Sequence, residues 1–247
     1  VHFGSILCNE KAWLDFRDKL AVEKNAYAVL VGDLINNNTR SAVGSPFDDV
    51  VRPREQKRLM VEHLKPLADS GKILAAVSGN HERRSLKDAD DDAMYDILAK
   101  LDLEDIYREN TAYLHLSIGQ REYKGRTKLT PCCAYNIGVT HGSGGGALVG
   151  SSINKNERFG YTVEGLDILI TGHTHKGSIT KPAKLKFNAT EGRMILKPFV
   201  CVQATCWQEY GGYALQKMFS PVASSVHGGQ VLRLSGDRYN KYIKTEW

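Results

Sequence analysis

Apolar residues recur along this chain at helical spacing and in short strand-length runs, and the two patterns alternate. Val1 to Ser5 reads as the exit of a strand. Trp13, Phe16 and Leu20 then predict a helix from about Glu10 to Glu23. Ala26 to Val31 has strand character and ends in Gly32-Asp33, followed by the polar segment Asn36-Asn37-Asn38-Thr39. Residues 41–51 read as a loop with Gly44 and Pro46. From Pro53 the spacing turns helical again, with Met60, Leu64 and Leu67 on one face and Gly71 as the stop. Ile73 to Val77 is the next buried strand, closing in Ser78-Gly79-Asn80-His81-Glu82. This order is the βαβ signature of a mixed helix-and-sheet fold.

Arg83 to Asp92 is highly charged, and Met94, Ile97, Leu98 and Leu101 predict a further helix. From Ala112 to Ile118, apolar residues alternate with Tyr113, His115 and Ser117, the period of a half-buried strand. Glu122 to Lys128 reads as a basic turn or hairpin. Ala134 to Val139 is strand-like and ends in Thr140-His141-Gly142, before Gly144-Gly145-Gly146. Asn154 to Val163 is polar, a surface helix or a loop. Leu166 to Thr171 is a strand delivering Gly172-His173-Thr174-His175. Residues 177–247 read as β-rich, with Met194 to Ala204 and Gln230 to Leu234 the clearest strands.

Composition narrows this picture. The 247 residues suit a single domain over 1–247, and 42% hydrophobic content supplies a core. The apolar runs are too short to span a membrane. Net charge of +5 favours an anionic partner. Five cysteines with no C-x-x-C spacing fit reduced thiols and a cytoplasmic setting.

The chemistry lies at the strand ends. Asp33, Asn80 with His81, His141, His173 with His175, and His2 each follow a strand-like run. Ligands of open α/β sheets gather beyond the carboxyl ends of strands. Carboxylate, amide and imidazole donors together suit manganese, iron or zinc. There are more of them than one tetrahedral site uses. Two divalent ions sharing a carboxylate, about 3.5–4 Å apart, would use them all and clamp a phosphoryl displacement. A hydroxide between the metals is then the nucleophile. A mononuclear oxygenase site of two histidines and one carboxylate leaves the other donors unexplained.

Gly32-Asp33, Gly79-Asn80-His81-Glu82, Thr140-His141-Gly142 and Gly172-His173-Thr174-His175 occur in the order seen in calcineurin-like metallophosphoesterases, and the chain resembles that family from Val1 to about Lys176. The resemblance implies a four-layer αββα sandwich of two mixed β-sheets flanked by helices. It implies an aspartate directly before Val1, because the family's first motif is Asp-x-His. It implies that His2, Asp33, His175 and that aspartate hold one metal, and that Asp33, Asn80, His141 and His173 hold the other. Manganese is expected first, with iron, zinc or magnesium as alternatives. His81 faces the scissile phosphate and assists the leaving group, as a protonated imidazole. Glu82 either orients a ligand or His81 from behind, or is a solvated loop acid.

The protein-phosphatase branch continues with Asp-Arg-Gly where this chain has Asn36-Asn37-Asn38-Thr39. The asparagine run, Arg83-Arg84 after Glu82, and the His141-Gly142-Ser143 loop resemble phage and bacterial members linked with DNA-repair nucleases. The expected substrate is a phosphodiester, DNA or a nucleotide, contacted by Asn36, Arg83 and Arg84. The alternatives are a phosphomonoesterase or phosphoprotein phosphatase, and a non-catalytic binding module on the same fold. The basic stretch Lys181 to Lys197 either follows a nucleic-acid backbone or is a solvated hairpin face.

Overall fold

Helices and strands alternate along the computed structural model, which describes residues 1–40, 42–119, 123–124, 128–129, 132–144, 146, 148–218 and 229–246. Helix α1 (Glu10–Val22) leads to strand β1 (Ala28–Leu30), helix α2 (Pro53–Asp69) and strand β2 (Ile73–Val77). Helices α3 (Glu82–Ala89) and α4 (Ala93–Ala99) precede β3 (Tyr107–Arg108) and β4 (Thr111–Ile118). A short pair, β5 (Tyr123–Lys124) and β6 (Lys128–Leu129), comes before β7 (Cys133–Thr140), helix α5 (Val149–Thr162) and β8 (Ile168–Thr171). Then follow β9 (Ser178–Thr180), β10 (Ala183–Asn188), β11 (Arg193–Pro198), β12 (Val200–Gln203), helix α6 (Gly212–Gln216), β13 (Val231–Leu234) and β14 (Ile243–Glu246). The helix starts carry local signals. The Asn9 side chain accepts the Ala12 N–H at 3.0 Å, Asp92 accepts that of Tyr95 at 3.1 Å, and Pro53 occupies the first turn of α2.

The fold is mixed α/β. Strands β1, β2 and β3 form a parallel sheet. A mixed sheet runs β4-β7-β8-β12-β9, parallel at its centre and antiparallel at both edges. Parallel pairing puts the C-terminal ends of β1 and β2 on one rim, and those of β7 and β8 on another. Met60, Leu64 and Leu67 of α2 pack with Trp13, Met94, Ile97, Leu98, Ile73 and Ala76. Ala75 and Val77, which point the other way from β2, pack with Tyr135, Ile137, Val139, Ile168 and Ile170 of the mixed sheet. Leu169 turns to a third cluster with Phe199 and Cys201. Among the described residues no helix is long and apolar enough to cross a membrane.

Three segments differ from the sequence expectation. The run Met194 to Ala204 is two strands in different sheets. β11 pairs with β10 as a hairpin, and the chain crosses at Pro198-Phe199 so that β12 enters the mixed sheet beside β8. The charged segment after His81 is helical, with Glu82 and Ser85 as its inward residues. α5 begins earlier than its polar stretch suggested, and it buries only small residues, Ser152 and Gly160. Small and polar inward faces leave no apolar stripe to read. The β10–β11 hairpin leaves β9 at the end of the sheet opposite the His173–His175 turn.

Gly160 is where α5 meets Phe199. A Cβ there would overlap the Phe199 ring. Gly160→Val is expected to lower stability by about 2 kcal/mol through overpacking. Urea unfolding followed by circular dichroism measures this, and an unchanged midpoint contradicts the packing.

Candidate metal centre

The donor residues singled out in the sequence come to one place, although Val1 to Ser5 forms isolated bridges, Phe3 with Ile35 and Ser5 with Asp49, where a strand exit was expected. Asp33 lies three residues beyond β1, and Asn80 and His81 begin three beyond β2. His141 directly follows β7, and His173 and His175 follow β8. The Asp33 carboxylate is the meeting point. Its Oδ2 lies 3.6 Å from His2 Nε2 on one side and 3.2 Å from His141 Nε2 on the other. Its Oδ1 accepts the His81 backbone N–H at 3.0 Å. Asn80 Oδ1 sits 3.0 Å from His141 Nε2 and 2.8 Å from His173 Nδ1. His175 Nε2 lies 2.8 Å from His2 Nε2. Two groups, His2-Asp33-His81 and Asp33-His141-His173, each bring one donor atom per residue within 4.8 Å of the others. Asp33 belongs to both. His81, expected only to face substrate, is therefore also within ligand reach.

These donors fit metal ions. His141 Nδ1 lies 2.6 Å from the Val31 carbonyl and donates its proton there. Its Nε2 faces Asp33 Oδ2 and Asn80 Oδ1, both acceptors, so either a proton on Nε2 or a metal ion satisfies this meeting point. A second ring nitrogen held by a carbonyl is the usual support of a metal-binding imidazole. His2 Nδ1 is buried and has no hydrogen-bond partner. Imidazole, amide and carboxylate groups converging this closely could hold a cation, and the donor set suits divalent manganese, iron or zinc.

Burial and Asp33 set the charge states of these groups. Burial holds the His2 imidazole well below its ordinary pKa, with neighbouring His81 adding to the effect. Burial also pushes His175 down to about 3. His173 is lowered by burial and by His141. Burial opposes ionisation of Asp33, but His81, His141 and His2 together hold it well below the carboxylate range. His141 goes the other way: burial lowers it, and the Asp33 carboxylate outweighs burial and raises it.

The backbone is unusual at the same residues. His2, Asp33, His173 and His175 all have left-handed φ, at 58°, 52°, 71° and 59°. Such a conformation costs on the order of 1 kcal/mol or more for a residue with a side chain. Glu82 holds the Asp33 bend. Fully buried, it accepts N–H bonds from Asp33 and Gly79 at Oε2 (both 2.9 Å) and from Leu34 and Ile35 at Oε1 (2.7 and 3.2 Å). It is not a solvated loop acid. Gly79 admits this arrangement because a Cβ there would overlap the Asp33 carboxylate.

The substrate candidates separate. Arg84 donates to the Asn36 carbonyl and to Asn38 Oδ1, both at 2.8 Å, and its second nitrogen lies 3.1 Å from His81 Nε2. His81 Nδ1 lies 2.6 Å from the same Asn36 carbonyl. Asn36 thus orients both side chains through its backbone, while its amide donates to Asp49 at 2.6 Å. Arg83 instead donates to the Glu109 carbonyl (2.6 Å) and Asn110 Oδ1 (2.8 Å), on the turn between β3 and β4. His81 differs from the protonated imidazole of the sequence expectation. Burial and the Arg84 cation push it down to about 4, against the pull of Asp33. Its ring is neutral at pH 7, with Nδ1–H on Asn36 and Nε2 accepting from Arg84.

Two supports went unread in the sequence. Gln56 is fully buried on α2, accepts the Asn37 N–H and donates to Asp49, both at 2.8 Å. Its signal was available, since a glutamine precedes Met60 and Leu64 on the same apolar stripe. Gln203, at the end of β12, donates to Thr174 Oγ1 and to the Lys176 carbonyl, and so fixes the turn carrying His173 and His175. Asn156 of α5 braces Gln203 and Thr171, at 2.8 Å each.

No family model matches the chain, and no curated protein matches it.

The lowered imidazoles predict acid sensitivity in protein kept metal-free with a chelator. Unfolded histidines take up protons near pH 6.5, whereas His175 and His81 in the fold do so only near 3 and 4. Stability is therefore fully present above 6.5 and falls with pH from 6.5 to about 4, by about 1.4 kcal/mol per pH unit for each histidine. His141 has the opposite sign, its contribution fading only as pH rises above 6.5. Urea midpoints across this range measure the slope, and a flat profile between pH 6.5 and 4 contradicts the burial.

Proposed function

We propose that the protein is a dinuclear metal-dependent phosphodiesterase with the architecture of the calcineurin-like metallophosphoesterases. The observation that carries this reading is the Asp33 Oδ2 between His2 Nε2 and His141 Nε2. A carboxylate oxygen flanked by two imidazole sets is the arrangement that two metals sharing one ligand require. His2, Asp33 and His175 would hold one ion, and Asp33, Asn80, His141 and His173 the other, manganese being the first choice. In that architecture the parallel and mixed sheets face each other between helical layers as an αββα sandwich. The cluster joining Ala75 and Val77 to Ile137, Val139 and Ile170 supports it.

Bound divalent ions supply Lewis-acid charge on the phosphoryl oxygens and a water acidified towards neutrality. The protein's own residues do the rest. Asn80, His173 and His175 are pinned before any ligand arrives, which keeps reorganisation small. Arg84, fixed by the Asn36 carbonyl and Asn38, offers a cation to the phosphate. Its neighbour His81 has Nε2 against the same guanidinium, and that nitrogen becomes free to take a proton when the Arg84 N–H turns to the phosphate. A phosphate anion beside that ring raises its proton affinity, so His81 gains its proton together with the substrate and returns it to the departing oxygen. A diester carries one negative charge where a monoester carries two, and the single guanidinium of Arg84 suits the former. A non-catalytic module has no use for four ligand positions held in left-handed backbone.

A generic phosphodiester should be hydrolysed with added manganese, faster than a generic monoester, and chelation should stop the reaction. Asp33→Asn is expected to lose roughly a hundredfold or more of the rate. Preference for the monoester would remove the diester reading, and retained activity in Asp33→Asn would remove Asp33 from the shared position.

A further inference from the structure

The β10–β11 hairpin prolongs the β9–β12 ladder without a change of register. Thr180 pairs with Cys201, Phe199 donates its N–H to the Pro182 carbonyl at 3.0 Å, and Ala183 pairs with Pro198. The pairs from Ala183–Pro198 to Asn188–Arg193 make an arm about 20 Å long. Among the described residues it pairs with no third strand. Its root is at the N-terminal end of β12, whereas Gln203 at the other end of that strand braces the turn of His173 and His175. The arm therefore leaves the sheet on the side away from the metal centre.

The two faces of the arm differ. Directly opposed residues of an antiparallel pair share a face. Lys184 opposes Lys197, Lys186 opposes Ile195, and Asn188 opposes Arg193. Lys184 donates to the carbonyl of Val163, the residue that ends α5, and its ammonium lies 5.3 Å from the centre of the Phe199 ring. The basic face thus leans on the body of the protein. The other face carries Leu185 opposite Leu196 and Phe187 opposite Met194, exposed by 70%, 69%, 59% and 53%. Single exposed apolar residues are ordinary. Four in two adjacent rows make an apolar patch on the order of 400 Å², the scale that marks an interaction surface.

We propose that this face pairs with the same face of a second copy of the chain, the two arms lying antiparallel about a two-fold axis. The face carries no charge, and the basic residues point away from it, so two copies meet without like-charge repulsion. An axis across the strands sets Phe187 of one copy over Leu185 of the other and Met194 over Leu196. One patch then serves both sides, as a two-fold contact requires. The paired side chains bury about 800 Å². The backbone between them and the rim bring the contact to the roughly 1,000 Å² of a specific but weak dimer. The tip of the arm carries Glu191, ion-paired with Arg193, which disfavours entry into a bilayer. The pairing leaves the metal centre open and does not depend on the phosphodiester reading.

Sedimentation velocity of the full chain, across the micromolar range, tests this. The expected result is a concentration-dependent equilibrium of monomer and dimer. Phe187→Glu and Leu185→Lys are each expected to weaken the dimer by about tenfold or more, because either sets an unpaired charge against an apolar row. Both positions are exposed, and circular dichroism checks that both variants fold. An equimolar mixture of the two variants is expected to recover the dimer, since the carboxylate introduced on one chain then faces the ammonium introduced on the other. A chain that stays monomeric, single variants that pair like the unaltered chain, or a mixture no tighter than its components would overturn the proposal. Binding of a monomer to phosphatidylcholine vesicles containing phosphatidylserine would also overturn it, and would give the face to a lipid surface.

Discussion

The carboxylate of Glu82, cut off from water, receives four backbone N–H groups and so closes the end of β1 onto the start of α3. Removing such an acceptor leaves several buried donors unsatisfied, at about 1–3 kcal/mol each. Asp33 is one of those donors, and its left-handed backbone follows from the closure. With Oδ1 taken by the His81 N–H, only Oδ2 is left to face the imidazoles. The direction in which Asp33 points is thus set by a second acid that makes no contact with the ligand space. Burial, and then the negative charge of Asp33, raise the proton affinity of Glu82.

A similar brace acts across the centre. The Val31 carbonyl fixes which nitrogen of His141 carries the proton, and Gln203 fixes the turn of His173 and His175. The site therefore stands on both sheets, with β1 and β2 supplying the acid and amide and β7 and β8 supplying imidazoles. Strain is concentrated at the same residues. The four left-handed positions, His2, Asp33, His173 and His175, are tolerated because hydrogen bonds around them over-determine the backbone.

Much of this was legible because strand ends are legible. A run such as Ile73–Val77 announces both its burial and its exit, so Asn80 and His81 could be assigned to a rim before any coordinates. α2 was equally plain, its Met60-Leu64-Leu67 stripe being apolar throughout. α3 and α5 were obscure because they pack through Glu82, Ser85, Ser152 and Gly160, which carry no hydrophobic period. The split at Pro198-Phe199 was hidden because Met194, Ile195 and Leu196 of the largely exposed β11 read in sequence as one apolar run with the buried β12. Among site residues, side-chain identity marked the donors, but tertiary partners decided the roles of the rest. Nothing local distinguishes Arg83, turned to Asn110, from Arg84, turned to His81. The neutrality of His81 comes from burial and from a guanidinium that only the fold brings near.

The central claim is that Asp33 is shared by two metal ions. A crystal of the manganese-loaded protein, measured at the manganese absorption edge, tests it most directly. The account predicts two anomalous peaks flanking Asp33 Oδ2, one beside His2 and His175 and one beside Asn80, His141 and His173. A single peak, or peaks away from Asp33, would contradict it.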